Sequence, residues 1–276
     1  MSLPGGLSRQ TERPRMKRCK LSALAVLLLL ASSGWCAAQG SGSEHLVSDR
    51  PDFTESPETV PAGRFQVEAG YTFSRKGDDK ENTLGELLLR YGLSERTELR
   101  LGLNSYVWRD SPDGLSEGFE DISLGVKIKL VEGAESFELT RPTVGVIVAT
   151  TLPTGADDIG EDKPQPEIIL ALGWNLSERL SLESSFKYAY ASEEGERFNQ
   201  FVGSLVLSYA LTEKLGVFIE YFGLVPESND GPNASFLHGG LTYLVNDDLQ
   251  FDMHAGFGIN QTDPNYFAGV GVSWRY

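Results

Sequence analysis

Cysteine is almost absent from this chain. Its only two cysteines, Cys19 and Cys36, lie within the first 38 residues, so the rest of the chain can hold neither a disulfide nor a thiolate-bound metal. Basic residues are also few, because 24 Lys and Arg against 39 Asp and Glu give a formal net charge of −15. Such an acidic chain repels phosphates, so we expect no nucleic-acid partner. No motif for a cofactor or a metal is present, and we expect neither.

Long apolar runs are absent as well, with one exception near the start. The run LSALAVLLLLA follows a basic stretch and precedes small residues, which is the pattern of a secretory signal peptide cleaved after Ala38. We therefore predict a signal peptide over 1–38, and Met16 as an alternative start would give it a more usual length. Lipid attachment at Cys36 is disfavoured by the bulky Trp35 before it. Since no later run reaches about 18 apolar residues, membrane-spanning helices are excluded.

A polar segment, residues 39–63, follows the signal. It carries three prolines and has neither a two-residue nor a helical period, so we expect irregular structure there. Over residues 64–276 apolar and polar residues alternate instead. In LQFDMHAGFGIN (249–260) one face is apolar and the other is polar or glycine, which is typical of a β-strand with one wet face.

This alternation predicts twelve strands. A recurrent plan of an aromatic residue, a polar turn with an acid and a new strand begins at Tyr91, Trp174, Tyr209 and Tyr243 and marks tight turns. Each strand is long enough for the about 9 to 11 residues with which a tilted strand crosses a bilayer. The predicted strands are 64–74, 83–92, 97–108, 119–130, 142–152, 166–176, 179–191, 199–210, 214–225, 234–245, 248–259 and 265–276.

The connections between the strands indicate the kind of sheet. Short links near 93–96, 177–178, 211–213 and 246–247 alternate with long polar stretches such as RKGDDKEN, RDSPDGLSEG and PTGADDIGEDKP, an asymmetry typical of outer-membrane barrels. Aromatic residues recur at strand ends, as in an interfacial girdle, and a backbone in lipid must pair all its polar groups. We therefore predict an all-β, twelve-stranded antiparallel transmembrane β-barrel, surrounded by the outer-membrane lipid of a Gram-negative bacterium.

The last strand ends on the alternating residues Val272, Trp274 and Tyr276. This ending resembles the terminal signature that the barrel-assembly machinery reads, so we expect that machinery as a partner and these residues as its assembly signal. The alternative is a strand that ends on an aromatic residue by chance.

The polar faces of the strands would line the lumen. Eight-stranded barrels are filled by their own side chains and sixteen-stranded ones hold open channels, so twelve strands leave a narrow passage at most. The charges could also pair across the interior and close it, which leaves a pore and a closed structural barrel as alternatives. The predicted pore-lining residues are Glu68, Arg90, Arg100, Lys127, Lys187, Glu220, Asp252, His254 and Arg275.

A candidate plug precedes the first strand. Asp49, Arg50, Asp52 and Glu55 form a mixed-charge stretch stiffened by prolines. Our hypothesis is that they enter the lumen, form salt bridges with its wall and gate it. The alternative is a loose periplasmic tail.

Two other chemistries are disfavoured. The acidic residues of PTGADDIGEDKP offer oxygen ligands for Ca²⁺, but their spacing matches no calcium loop, so we expect solvated charge. A hydrolase needs a nucleophile within reach of a base. His238 and His254 share the wet face of neighbouring strands, yet neither has a serine two residues away, and we expect no enzyme.

Three stretches carry a family resemblance: DRPDFTESPETVPAGRFQVEAGYTF (49–73), GFEDISLGVKIKL (118–130) and RPTVGVIVATTLPTG (141–155). Together they resemble the outer-membrane "transporter" family, also called the MetA-pathway of phenol degradation family, and the resemblance covers 49–276. It implies passage of aromatic or other small apolar compounds. We expect a channel or transporter for passive uptake or efflux of small-molecule solutes, with a closed structural or surface-interaction barrel as the alternative.

Overall fold

The computed structural model describes residues 45–193, 195–260 and 265–276. The predicted signal peptide and residues 39–44 lie outside these ranges. Within them, no helix is long and apolar enough to cross a membrane. The strands are β1 (Phe65–Lys76), β2 (Asp79–Ser94), β3 (Thr97–Ser111), β4 (Gly114–Phe119), β5 (Ile122–Val131), β6 (Thr143–Leu152), β7 (Gln165–Asn175), β8 (Leu180–Glu193), β9 (Glu196–Ala210), β10 (Leu215–Val225), β11 (Ala234–Asn246), β12 (Leu249–Gly258) and β13 (Asn265–Arg275).

The strands form one antiparallel sheet that closes on itself. Strands that are neighbours in sequence pair with one another, except β4 with β5, and β13 pairs with β1 from Gln66↔Arg275 to Lys76↔Asn265. Strands β4 and β5 both pair with β3 and occupy one position in the sheet. The closed barrel therefore has twelve strand positions, as predicted.

The barrel has apolar residues outside and polar residues inside. On β12, Phe251, Met253 and Phe257 are each about half exposed, whereas Asp252 between them is 6% exposed. The same alternation buries charged side chains on most strands, including Arg90 and Lys127 with no exposed surface. Because the bilayer takes the place of a core on the outer face, this pattern is the one expected of a barrel in lipid.

Two of the long polar stretches named above are instead hairpins that continue the strands, and a third expected long loop, SEEGERF, is one as well, since Glu193 pairs with Glu196. Within RKGDDKEN, Lys76 pairs with Asp79 and leaves a two-residue turn, and Gly77 there has a φ of +61°. Within RDSPDGLSEG, Ser111 pairs with Gly114 in the same way. Polar side chains do not prevent pairing beyond the membrane, and a glycine at positive φ allows a tight turn that fits the twist of the strands. The prediction of long loops was wrong here.

The predicted strand 119–130 is divided at Asp121. Its carboxylate accepts hydrogen bonds from the backbone N–H groups of Thr154 (2.9 Å), Gly155 (2.7 Å) and Glu161 (2.9 Å) in the long β6–β7 loop. These contacts draw Asp121 out of the ladder and separate β4 from β5. They also hold this acidic loop against the barrel, and no group of three or more His, Cys, Asp or Glu side chains in the described ranges is arranged to hold a metal.

Candidate functional site

Residues 45–63, which we call the N-terminal segment, lie inside the barrel. The backbone N–H of Leu46 donates to the carbonyl of Asp247 (2.9 Å), in the β11–β12 turn, and the N–H of Gly63 donates to the carbonyl of Gly92 (2.7 Å), on β2. Both attachments are at the end of the barrel where β1 begins and where the short β2–β3 and β11–β12 turns lie, which we call the short-turn end. The other end, which carries the β6–β7 loop, is the long-loop end. The segment therefore folds up into the lumen and returns to the same end.

Glycines in the wall make room for the segment. A Cβ on Gly145 of β6 or Gly173 of β7 would stand 2.9 Å from atoms of Pro57, and a Cβ on Gly271 of β13 would overlap the guanidinium of Arg50. At these positions the side chain of any larger residue would clash with the segment. The inner wall is thus shaped to receive it.

Asp49 is the centre of the strongest attachment. Its carboxylate accepts hydrogen bonds from Arg100 Nη1 at 2.5 Å and from Lys127 Nζ at 2.9 Å, and it lies 3.2 Å from Arg90 Nη1. Three cations from three strands therefore surround one carboxylate of the segment. The anchor cluster is Asp49 and Glu55 of the segment with Glu68, Arg90, Glu98, Arg100 and Lys127 of the wall.

Within the anchor cluster every buried charge has a partner. Arg90 donates to Glu98 and to Glu68 at 2.8 Å each, and Glu98 also accepts the backbone N–H of Val60 at 2.8 Å. Glu55 lies 3.0 Å from Arg100. Since a buried charge without a partner is strongly destabilising, the segment and the wall depend on each other.

Arg50 makes a second attachment to the wall, on strands β2 and β12. Its guanidinium is 2.5 Å from Glu86 and 3.4 Å from Asp252. Glu86 has a φ of +41° and follows Gly85, with a φ of +117°, in a stretch where the register between β2 and β3 shifts. This irregularity is a β-bulge, which redirects a side chain, and here it turns Glu86 toward Arg50.

Glu220 on β10 makes the third attachment. It accepts the backbone N–H groups of Phe53 (2.9 Å) and Thr54 (2.7 Å) and the Thr54 hydroxyl (2.6 Å). His238 Nδ1 lies 2.6 Å from the same carboxylate, and His238 Nε2 lies 3.0 Å from His254 Nδ1. We call Glu220, His238 and His254 the Glu220 cluster.

The pKa values of two carboxyl groups of the segment are shifted in opposite directions. Burial alone would raise the pKa of Asp49, but the three cations of the anchor cluster hold this pKa well below its usual range. Burial raises the pKa of Asp52 well above its usual range, and the nearby carboxylates of Glu220 and Glu183 raise it further. Asp49 is therefore a fixed charge, whereas Asp52 carries its proton to higher pH.

Aromatic rings line the lumen beside the Glu220 cluster. The Phe53 ring stacks on Phe222 with centroids 4.3 Å apart and planes 11° apart, and Phe222 stacks on Phe236 at 4.8 Å and 16°. Phe267 lies 6.2 Å from both Phe222 and Phe236. We call these four rings the aromatic stack. They give the lumen an apolar surface beside the Glu220 cluster.

Two cavities lie on opposite sides of the segment. One, of about 500 Å³, extends toward the long-loop end and is lined by the aromatic stack and His254. The other, of about 470 Å³, extends toward the short-turn end past Tyr209. Arg50, Pro51 and Asp52 line both cavities. A single layer of chain therefore separates the loop-side cavity from the turn-side cavity.

Comparison with known proteins gives the family. Residues 48–276 match the family described as "Putative MetA-pathway of phenol degradation". The chain belongs to this family. The match confirms the resemblance seen in the sequence, and no curated protein matches the chain.

Solved structures give the fold. An outer-membrane channel from Pseudomonas putida F1 is similar over 79% of this chain and 97% of that one, with 16% identity and a TM-score of 0.62. The NanC porin is similar over 75% of this chain and 98% of that one, with 12% identity and a TM-score of 0.51. The chain thus has the fold of an outer-membrane type β-barrel.

The predicted pore-lining residues all lie on the inner face. Most of them belong to the anchor cluster, the Glu220 cluster or the Arg50 contacts. Lys187 lies apart from these and pairs with Glu167 at 3.3 Å, and Arg275 pairs with Asp248 at 2.8 Å at the short-turn end. That these residues line a conducting pore stays a prediction.

The candidate assembly signal faces outward. Trp274 and Tyr276 are about half exposed, and their rings lie 4.8 Å apart. The backbone of Tyr276 exchanges two hydrogen bonds of 2.9 Å with Phe65, so the last residue completes the closure between β13 and β1. Recognition by the assembly machinery stays a prediction.

The four residues of the aromatic stack are not among the site residues predicted from the sequence. Phe222 has the parity of Glu220 on β10, and Phe236 has the parity of His238 on β11. The signal was a phenylalanine on the same face of a strand as buried charged residues, because lipid-facing aromatic residues lie on the other face. The partner of these rings, Phe53, lies in the irregular segment, where parity gives no information.

Proposed function

We propose that this protein is an outer-membrane channel of a Gram-negative bacterium for passive passage of small apolar or aromatic molecules, closed at rest by the N-terminal segment. The observation that carries the proposal is the pair of cavities that share Arg50, Pro51 and Asp52 as their common wall. Movement of one layer of chain would join them into a passage. The anchor cluster and the Glu220 cluster hold that layer from opposite sides.

The chemistry of the lumen supports small solutes with apolar surface. The loop-side cavity of about 500 Å³ has the size of sites that hold small organic molecules, and the aromatic stack gives it an apolar wall. The description of the family points to the same class. A large solute is disfavoured, because the loop-side cavity measures only about 500 Å³.

A hydrolase is disfavoured by the way the hydroxyl groups are used. The Thr54 hydroxyl lies within hydrogen-bond distance of both Glu220 and Ser204, and His238 contacts Glu220 and His254. The hydroxyl groups thus fasten the segment to the wall, where an enzyme would need one beside its histidine base. A closed structural barrel is the competing function, and it requires that the segment never moves.

A reversible tether tests whether movement of the segment is needed. Thr54 Oγ1 and Ser204 Oγ are 2.9 Å apart, which suits a disulfide after Thr54→Cys and Ser204→Cys, and residues 39–276 contain no cysteine. We expect whole cells with the oxidised double variant to accumulate radiolabelled benzyl alcohol more slowly than after reduction. Each single variant is the control for effects of the reductant. Equal rates in both states, with the disulfide verified, would support the closed structural barrel.

A further inference from the structure

The ring of Phe53 differs from the other members of the aromatic stack in how it is held. Phe222, Phe236 and Phe267 belong to wall strands, and Phe222 and Phe236 are at most 7% exposed. Phe53 belongs to the segment, is 39% exposed and lines the loop-side cavity. Its side chain therefore meets the cavity on one face and Phe222 on the other.

The backbone of Phe53 is fixed independently of its ring. The N–H groups of Phe53 and Thr54 both donate to Glu220, and the segment is also held by Asp49 in the anchor cluster. Displacing the ring from Phe222 requires only a change of side-chain conformation and the loss of one stacked pair. Such a pair contributes a modest amount beyond the burial of its area.

We infer that the face of Phe222 is a binding site for the planar aromatic ring of a solute, and that Phe53 occupies this site as an internal competitor when no solute is bound. The inference rests on the proposed function in taking the loop-side cavity as the entrance. It adds a defined subsite, Phe222 with Phe236 behind it and Phe267 at the edge.

The geometry specifies a flat ring. Phe53 and Phe222 are nearly parallel and stacked, with centroids 4.3 Å apart, so the partner of Phe222 presents a flat face to it. A saturated ring of the same size is thicker and has no π face, so it would fill the cavity without reproducing this contact. Benzyl alcohol and cyclohexylmethanol are therefore matched probes, since they differ in the aromaticity of the ring and share the hydroxymethyl group.

Calorimetric titration of the folded chain in lipid nanodiscs, with empty nanodiscs as the blank, tests the inference. We expect wild type to bind benzyl alcohol more tightly than cyclohexylmethanol. Phe53→Ala removes the competitor, so its affinity for benzyl alcohol should rise about 2- to 10-fold, the range that one stacked pair gives. Phe222→Leu should abolish the preference for the aromatic probe. Phe251→Ala, on the outer face, is the matched control and should change neither affinity.

A fall in the affinity of Phe53→Ala for benzyl alcohol would overturn the inference. If Phe53 were part of the wall of the site, Phe53→Ala would weaken binding of benzyl alcohol, and unchanged affinity would likewise contradict competition. Phe53→Leu gives the same prediction with a smaller gain, and covers the case in which the alanine variant does not fold. Binding is measured without transport, so failure of the proposed function would appear separately, as equal uptake by the oxidised and reduced tether.

Discussion

Asp49→Asn is the substitution that should release the N-terminal segment most selectively. Asparagine keeps the shape of the side chain and removes the one charge that Arg100, Lys127 and Arg90 share at 2.5, 2.9 and 3.2 Å. Lys127 and Arg90 have no exposed surface, so water cannot replace the lost carboxylate while the segment stays docked. Removing one partner of a buried ion pair costs about 3 to 5 kcal/mol. The ratio of docked to released segment should therefore fall by about a hundredfold to a few thousandfold.

Amide hydrogen exchange measures that ratio even when release is rare, because exchange follows local opening. The amides of Thr54 and Val60 donate to Glu220 and Glu98 on the wall, so both should exchange faster in Asp49→Asn by the same factor, and the open fraction in planar bilayers should rise. Asp158→Asn makes the same chemical change on an exposed loop and should alter neither. Faster exchange throughout the barrel strands would indicate general destabilisation, and wild-type exchange at Thr54 and Val60 would refute the anchoring role.

Three further outcomes follow from the contacts described. Burial raises the pKa of Asp52 in the docked segment, so the docked state holds an extra proton; docking is favoured below the ordinary carboxyl range and weakens as pH rises through the raised value. Planar-bilayer recordings should therefore show a larger open fraction under mildly alkaline than under mildly acidic conditions, and less change in Asp52→Asn. Gly173→Val would place a side chain against Pro57 and should raise single-channel conductance, whereas conductance equal to wild type would show that the segment adapts. Tyr276→Ala should reduce the yield of heat-modifiable barrel in the outer membrane, and a normal yield would show that the last ring is dispensable for assembly.

The barrel could be predicted from the sequence because lipid outside and a polar interior require apolar and polar residues to alternate along each strand. Every predicted strand is present, and the closure of β13 on β1 follows from the need to pair all backbone groups. The errors lie where that constraint ends. Beyond the membrane, RKGDDKEN and RDSPDGLSEG are polar on both faces, so no alternation distinguishes a solvated hairpin from a loop. The break at Asp121 depends on three N–H groups from a loop more than 30 residues away.

The site was predictable in its charges and unpredictable in its partners. Parity assigns Arg100 and Lys127 to the inner face, and composition singles out Asp49 and its neighbours. Which cation meets which carboxylate depends on the path of an irregular segment, which no period encodes. The turning of Glu86 toward Arg50 requires a bulge at Gly85, and a single glycine in a strand does not specify one.

Single-channel conductance of a chain lacking residues 45–60 tests the central claim most directly. If the N-terminal segment closes the lumen at rest, the deletion variant, refolded and shown by heat modifiability to be a closed barrel, will conduct at a level well above wild type. A folded deletion variant with the conductance of wild type would show that the wall alone closes the barrel, and would contradict the account.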